Sequence, residues 1–175
     1  MSRKPFNKSA FIEAKPDRVY NSLKVSLFIK MMMKNGHYEK SSLIFYRALD
    51  QLVKDVRGDI KEQDRRISEG LSLFEQVMQN VSPQYAVESR RIGGANYQVP
   101  VVLPQDKRLF MAFSWVIRFA RKGRGPMWRS LATEFKNAYE KRGSVMQERQ
   151  NTHRMAEANK ALTTVKFKES QEESS

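Results

Sequence analysis

The stretch that most restricts how this chain can fold is ESRRIGGANYQVPVV, Glu88 to Val102. Tyr85 and Val87, then Tyr97, Val99 and Val101, alternate as strand residues do, and GGAN lies between the two arms, so a hairpin is expected at about 85–102. Pro100 withholds a backbone donor and marks the second arm as an edge. No other segment reads as strand. A two-stranded ribbon is marginal alone in water, so this one must rest on helices, on a partner, or on both.

The rest of the chain carries helical spacing. A first helix is expected at about Arg18–Lys34, capped by Asp17, with Leu23, Leu27, Phe28, Met31 and Met32 as its apolar face and Asn35-Gly36 as its stop. A second follows at about Glu39–Val56, with Leu43, Ile44, Tyr46, Ala48, Leu49, Leu52 and Val53 spaced for burial. KDVRGDIKEQDRRISEG reads as a solvated connection, in part helical, before a third helix at Leu71–Val81 that Ser82-Pro83 ends. After the ribbon, Leu109, Phe110, Phe113, Val116, Ile117 and Ala120 mark a helix at about Lys107–Lys122, and Trp115 falls in the same buried stripe. Pro126 suits the first turn of the next, about Met127–Lys141, which buries Leu131, Phe135 and Ala138. The last, from Ser144 to about Leu162, has only Val145, Met155, Ala156, Ala158, Ala161 and Leu162 as apolar positions, too few for the centre of a core. The expected fold is mainly α, about six helices in a bundle-like core with one protruding β-ribbon. A basic arm (1–16) precedes the helical domain (17–162), and a tail (163–175) follows that ends acidic and disordered.

Charge points to the partner. The 175 residues hold 32 Lys+Arg against 19 Asp+Glu, a formal net charge of +13. Residues 1–84 carry 15 against 10, residues 85–168 carry 17 against 6, and the last seven carry 0 against 3. Such a surplus calls for a polyanion, drawn mainly to the half that begins at the ribbon. A merely basic soluble protein is the plainer alternative. Arg90 and Arg91 are adjacent on a strand and face opposite ways, and the Gly93-Gly94 tip lets a phosphate backbone come close. Arg118, Arg121, Lys122, Arg124 and Arg129 gather around GRG, the kind of cation cluster that displaces counterions from a nucleic acid. Placement at a helix C-terminus accounts for Arg121 and Lys122 but not for Arg124 or Arg129. Arg149, His153, Arg154 and Lys160 crowd the last helix, and Arg3, Lys4 and Lys8 lie in the N-terminal arm. With no helix-turn-helix, finger or zipper pattern, RNA is favoured over DNA.

Catalysis has little to stand on. The phosphate-cradling patterns GxxxxGK[ST] and GxGxxG are missing, and no nucleophile elbow is present. Without cysteine, and with His37 and His153 as the only histidines, no disulfide and no ordinary transition-metal site is expected. No cofactor and no small-molecule substrate is implied. His153 is better placed to hydrogen-bond or to lie near phosphate than to act as a ligand or base. No apolar run reaches the length that a membrane span needs, and the opening reads as a basic arm of the mature protein rather than a targeting segment.

Two stretches resemble a known family. SRRIGGANYQVPV closely resembles the hairpin motif, and THRMAEANKA (152–161) the C-terminal signature, of bacterial-type small-subunit ribosomal protein seven. RLFMAFSWVIRFARK, LATEFKNAYEKRGSV, EKSSLIFYRAL and NVSP fit in the expected order, so the resemblance covers about 17–161. It implies about six helices with a ribbon and a structural role without catalysis. It also implies binding to the 3′ major domain of small-subunit rRNA, nucleation of head assembly beside neighbouring head proteins, and a place near the exit-site tRNA. Carried over, Arg90, Arg91, Gly93, Gly94, Tyr97, Gln98 and Pro100 fall on the hairpin motif, and His153, Arg154, Met155, Glu157, Asn159 and Lys160 on the helical signature. Met155 and Glu157 are expected to pack or cap locally.

The chain also departs from the family. Its arm is thinner in arginine, the 55–70 linker looks longer, fewer cations precede the signature, and the sequence after Leu162 no longer matches. A ribbon of proteobacterial wording with divergence elsewhere implies a mitochondrial ribosome, with the bacterial cytoplasm as the alternative. A free RNA-binding regulator acting on messenger RNA is the competing function. Membrane-surface binding is disfavoured because cations sit on ribbon and loop as well as on helices.

Overall fold

The computed structural model describes residues 15–160 except Gly93. Arg3, Lys4, Lys8, Gly93, Ala161, Leu162 and the tail at 163–175 therefore lie outside the described residues. Among the described residues six helices and one ribbon follow in the order α1 (Leu23–Met32), α2 (Tyr38–Arg57), α3 (Gln63–Val81), β1 (Tyr85–Ile92), β2 (Ala95–Val102), α4 (Gln105–Ala120), α5 (Met127–Tyr139) and α6 (Ser144–Ala158). The mainly α architecture with a single antiparallel hairpin matches the expectation.

Each of the first five helices contributes one phenylalanine to a common centre. Phe28 of α1 lies 5.2–5.8 Å, centroid to centroid, from Phe45 of α2, Phe74 of α3, Phe113 of α4 and Phe135 of α5. All five are essentially fully buried. The rings meet mostly edge-to-face or tilted, the arrangement that aromatic quadrupoles prefer. Trp115, as expected, is buried in the same core.

Several boundaries and faces differ from the sequence reading, each for a local reason. The first helix begins at Leu23 rather than Arg18, and Asp17 caps a separate turn: its Oδ2 accepts the N–H groups of Val19 and Tyr20 at 3.0 and 3.1 Å. Asn21 then takes φ 46°, which breaks the helical path. Leu23 and Leu43, read as buried, are 49% and 56% exposed, whereas Phe45, passed over in that reading, is fully buried. One step along α2 is 100° of rotation, so the stripe shifts when its register moves by a residue.

The charged linker is also mostly helix. α3 starts at Gln63, eight residues before the expected Leu71. Arg57 Nε reaches Glu69 Oε2 at 3.3 Å, and Arg66 Nε reaches Asp50 Oδ1 at 3.9 Å, so α3's polar first turns lie beside α2 instead of facing only solvent. Gly70 is buried because Tyr20 and Val53 press against it; a Cβ there would stand 3.2 Å from the Tyr20 hydroxyl. Phe110, placed in the buried stripe of α4, is 38% exposed. α5 ends at Tyr139 and α6 at Ala158, both short of expectation, with Met155 and Ala158 on the outer side of α6. Among the described residues, no helix is long and apolar enough to cross a membrane.

Candidate nucleic-acid interface

The ribbon is anchored at its root and exposed beyond it. The strands pair from Tyr85↔Val102 through Ile92↔Ala95, so Ala95 and Asn96 belong to β2 and the connection is shorter than GGAN. Gly94 has φ +88°, a conformation a side chain would strain. At the root Ala86, Val99 and Leu103 are buried, Leu103 N–H donates to Gln84 O at 3.1 Å, and Arg108 Nε donates to Leu103 O at 2.7 Å. Beyond it Ser89, Arg90, Arg91, Asn96, Tyr97 and Gln98 are all exposed.

Register gives each face of this arm one arginine and one recognition partner. Arg90 lies opposite Tyr97 on one face, and Arg91 lies opposite Asn96 on the other, next to the Ser89–Gln98 pair. Arg90 Nη2 is 3.7 Å from Glu88 Oε2, and Lys107 Nζ is 3.5 Å from Glu88 Oε1. These pairs are about half exposed and worth at most about 1 kcal/mol, so phosphate can displace them. Each face can thus offer a guanidinium to phosphate and a planar or amide group to a base.

The cation cluster around GRG divides into residues engaged in the fold and residues that are not. Arg118 Nη2 pairs with Glu148 Oε1 at 2.6 Å, which ties α4 to α6. Arg121 Nη2 donates to Met32 O at 3.0 Å, satisfying a C-terminal carbonyl of α1. Arg118 and Lys122 both stand over the Phe119 ring, and Arg129 over Trp128, each at 5.1 Å. Arg124 is exposed in the loop.

Folding adds cations that the sequence reading missed. Lys34, His37 and Lys40, from the α1–α2 turn and the start of α2, share a hollow of about 420 Å³ with Arg121, Gly123 and Gly125. A neighbouring hollow is lined by Arg118, Arg121 and Lys122, so Arg121 belongs to both. The only local signal was the pair of lysines flanking the Asn35-Gly36 stop, and nothing in the sequence says that this turn meets a loop nearly ninety residues later.

On α6 the candidates likewise split. Gln84 N–H donates to His153 Nε2 at 3.1 Å, and the Tyr85 and His153 rings meet edge-on at 6.1 Å. Burial, and then the Arg149 guanidinium, hold the imidazole below its usual pKa range, which keeps Nε2 available as an acceptor. Asn159 Nδ2 donates to Met155 O at 2.8 Å near the helix end. His153 and Asn159 thus serve the fold. Arg149 Nε is buried without a hydrogen-bond partner among the described residues, and Arg154 and Lys160 are exposed. Among the described residues, no group of three or more carboxylate or imidazole side chains could hold a metal ion.

The sequence pattern of the family described as "Ribosomal protein S7p/S5e" matches residues 2–160. The chain is 42% identical over 148 residues to the small ribosomal subunit protein uS7 of Maridesulfovibrio salexigens, covering 84% of this chain and 88% of that one. It is 39% identical to the uS7 of Lawsonia intracellularis over 86% and 90% of the two chains, and 39% identical to that of Borrelia hermsii over 93% and 98%. All three relatives are bacterial. A helical core with one basic ribbon, matched almost end to end, leaves one conclusion: the chain belongs to the ribosomal protein S7p/S5e family.

Proposed function

We infer that this protein is a non-catalytic structural constituent of the small ribosomal subunit, and that it docks on rRNA through the outer ribbon and the basic hollows between α1, α2 and α4. The observation that carries this reading is the ribbon itself, which bears one exposed arginine on each face. Arg90, Arg91, Gly94, Tyr97 and Gln98 reach the RNA from the arm. Lys34, Lys40, Lys122, Arg124 and Arg129 form a second contact from the body, and Arg154 of α6 with Lys160 just past its end a third. Arg118, Arg121, His153 and Asn159 also hold these surfaces in place, through Glu148, Met32, Gln84 and Met155. Arg3, Lys4 and Lys8 would extend the contact from the N-terminal arm, as Gly93 would at the ribbon tip.

The finer placement follows the family: the 3′ major domain of the rRNA, where binding nucleates the subunit head beside neighbouring head proteins, with the ribbon directed to the exit-site tRNA. For compartment, the bacterial relatives support a bacterial-type ribosome. We place that ribosome in the mitochondrion on the divergence outside the ribbon, against the bacterial cytoplasm.

Crosslinking the protein to RNA in its native cells, followed by sequencing, tests all of this. Reads concentrated in the 3′ major domain of small-subunit rRNA are expected, and their organellar or bacterial origin fixes the compartment. Reads dispersed over messenger RNAs would instead make the protein a free regulator that uses the same surface.

A further inference from the structure

We propose that the groove between the ribbon's root and α6 receives a single unpaired RNA base, with Tyr85 and Val102 as its stacking wall. The groove encloses about 440 Å³, within the roughly 300–1,000 Å³ range of ligand pockets. Its ribbon side is apolar, built by Tyr85, Pro100 and Val102, and its α6 side presents His153 and Ala156, with Glu157 and Lys160 at the rim. Tyr85 and Val102 are directly opposed in register, yet 46% and 69% exposed, an apolar pair left uncovered beside the buried Ala86, Val99 and Leu103.

Three observations select a base as the occupant. The platform is fixed before anything binds: the edge-on contact with His153 orients the Tyr85 ring, and the Gln84 N–H holds His153. A rigid aromatic wall lowers the ordering cost of stacking. The rim combines an ammonium with a carboxylate, which suits a nucleotide: Lys160 attracts phosphate, while Glu157 repels it and accepts instead from an exocyclic amino group. That arrangement favours adenine, guanine or cytosine over uracil. Finally, the groove adjoins the arginine-bearing arm on a chain of net charge +13, so an RNA held by that arm brings its own unpaired bases past the opening. The proposal rests on the RNA-docking reading above and names a subsite within it.

The test uses the full chain and two RNAs, a fully paired stem and the same stem carrying one unpaired adenosine, each titrated across a salt series. Wild type is expected to prefer the bulged stem. Tyr85→Ala should lose about tenfold for that stem while keeping its affinity for the paired stem and the same salt slope, because stacking releases no counterions. Tyr85→Phe should retain the preference, and a bulged uridine should bind more weakly than adenosine. Wild-type binding without preference for the bulge overturns the proposal, as does an unchanged preference in Tyr85→Ala. A wild-type dimer that Tyr85→Ala dissociates without touching bulge affinity would assign the groove to a second copy, and also overturns it. Failure of the wild type to bind either RNA would instead sink the docking reading itself.

Discussion

The backbone N–H of Gln84 donates to Nε2 of His153 at 3.1 Å, a bond across 69 residues that joins the ribbon's root to the last helix. Only a neutral imidazole can accept it. Burial and Arg149 depress the folded-state pKa of His153, so the unfolded chain binds this proton more readily than the folded one. Its contribution is complete above the ordinary histidine pKa of about 6.5 and is lost as pH falls through the lower folded value. Acidifying from pH 7.5 to 5 should therefore lower the protection factor of the Gln84 amide, its exchange relative to the unfolded chain at the same pH, and loosen the Tyr85–His153 contact before global unfolding. Equal protection of Gln84 at both pH values would show that this bond does not govern the root.

Asp17 organises the entry to the fold. It is 3% exposed, and besides the two backbone donors to Oδ2 its Oδ1 accepts from Tyr46 at 2.7 Å and from Tyr38 at 3.4 Å. Burial, and then the bond to Asp17, push the Tyr46 phenol well above its ordinary pKa, so it donates throughout the neutral range. Asp17→Ala leaves these donors unsatisfied and should cost about 2–4 kcal/mol, read by urea denaturation. Asp17→Asn retains an acceptor and should cost less. Equal losses for both substitutions would mean that the carboxamide oxygen does not replace the carboxylate.

Core and arm should separate cleanly under mutation. Trp115, 6% exposed, fills the core, and Trp115→Ala should cost about 3–5 kcal/mol while leaving the salt dependence of RNA binding unchanged in the folded fraction. Replacing Arg90 and Arg91 with glutamate should leave the melting temperature nearly unaltered, weaken RNA binding and flatten its salt slope. A loss of RNA affinity in Trp115→Ala equal to that of the charge reversal, at an unchanged melting temperature, would contradict this division.

The hollow beside the α1–α2 turn carries its own prediction. Lys34→Ala combined with Lys40→Ala should lower the salt slope of rRNA binding by about 1–2, with little change in stability, because both lysines are exposed. Arg121→Ala should weaken binding and also lower the melting temperature, since it removes the bond to Met32 O. If both lysines can be removed without altering the salt slope, RNA does not approach this side of the body.

The sequence by itself determined the ribbon, its partners in chemistry and most of the helical order. Period-two alternation around a double glycine is local information, and so is the apolar spacing that placed Phe28, Phe113 and Phe135 inside. Net charge is a sum, legible without any fold, and it pointed to a polyanion. The tertiary structure decided everything that depends on which elements meet. It carried α3 back to Gln63 through the charged stretch by placing Arg66 and Glu69 beside α2, and it exchanged Leu43 for Phe45 in the core. It also drew Lys34 and Lys40 to Arg121, and joined His153 to the Gln84 backbone. A side chain's local pattern states what it can do, but burial and long-range hydrogen bonds select which of those uses remains open, and both arise only when distant segments pack.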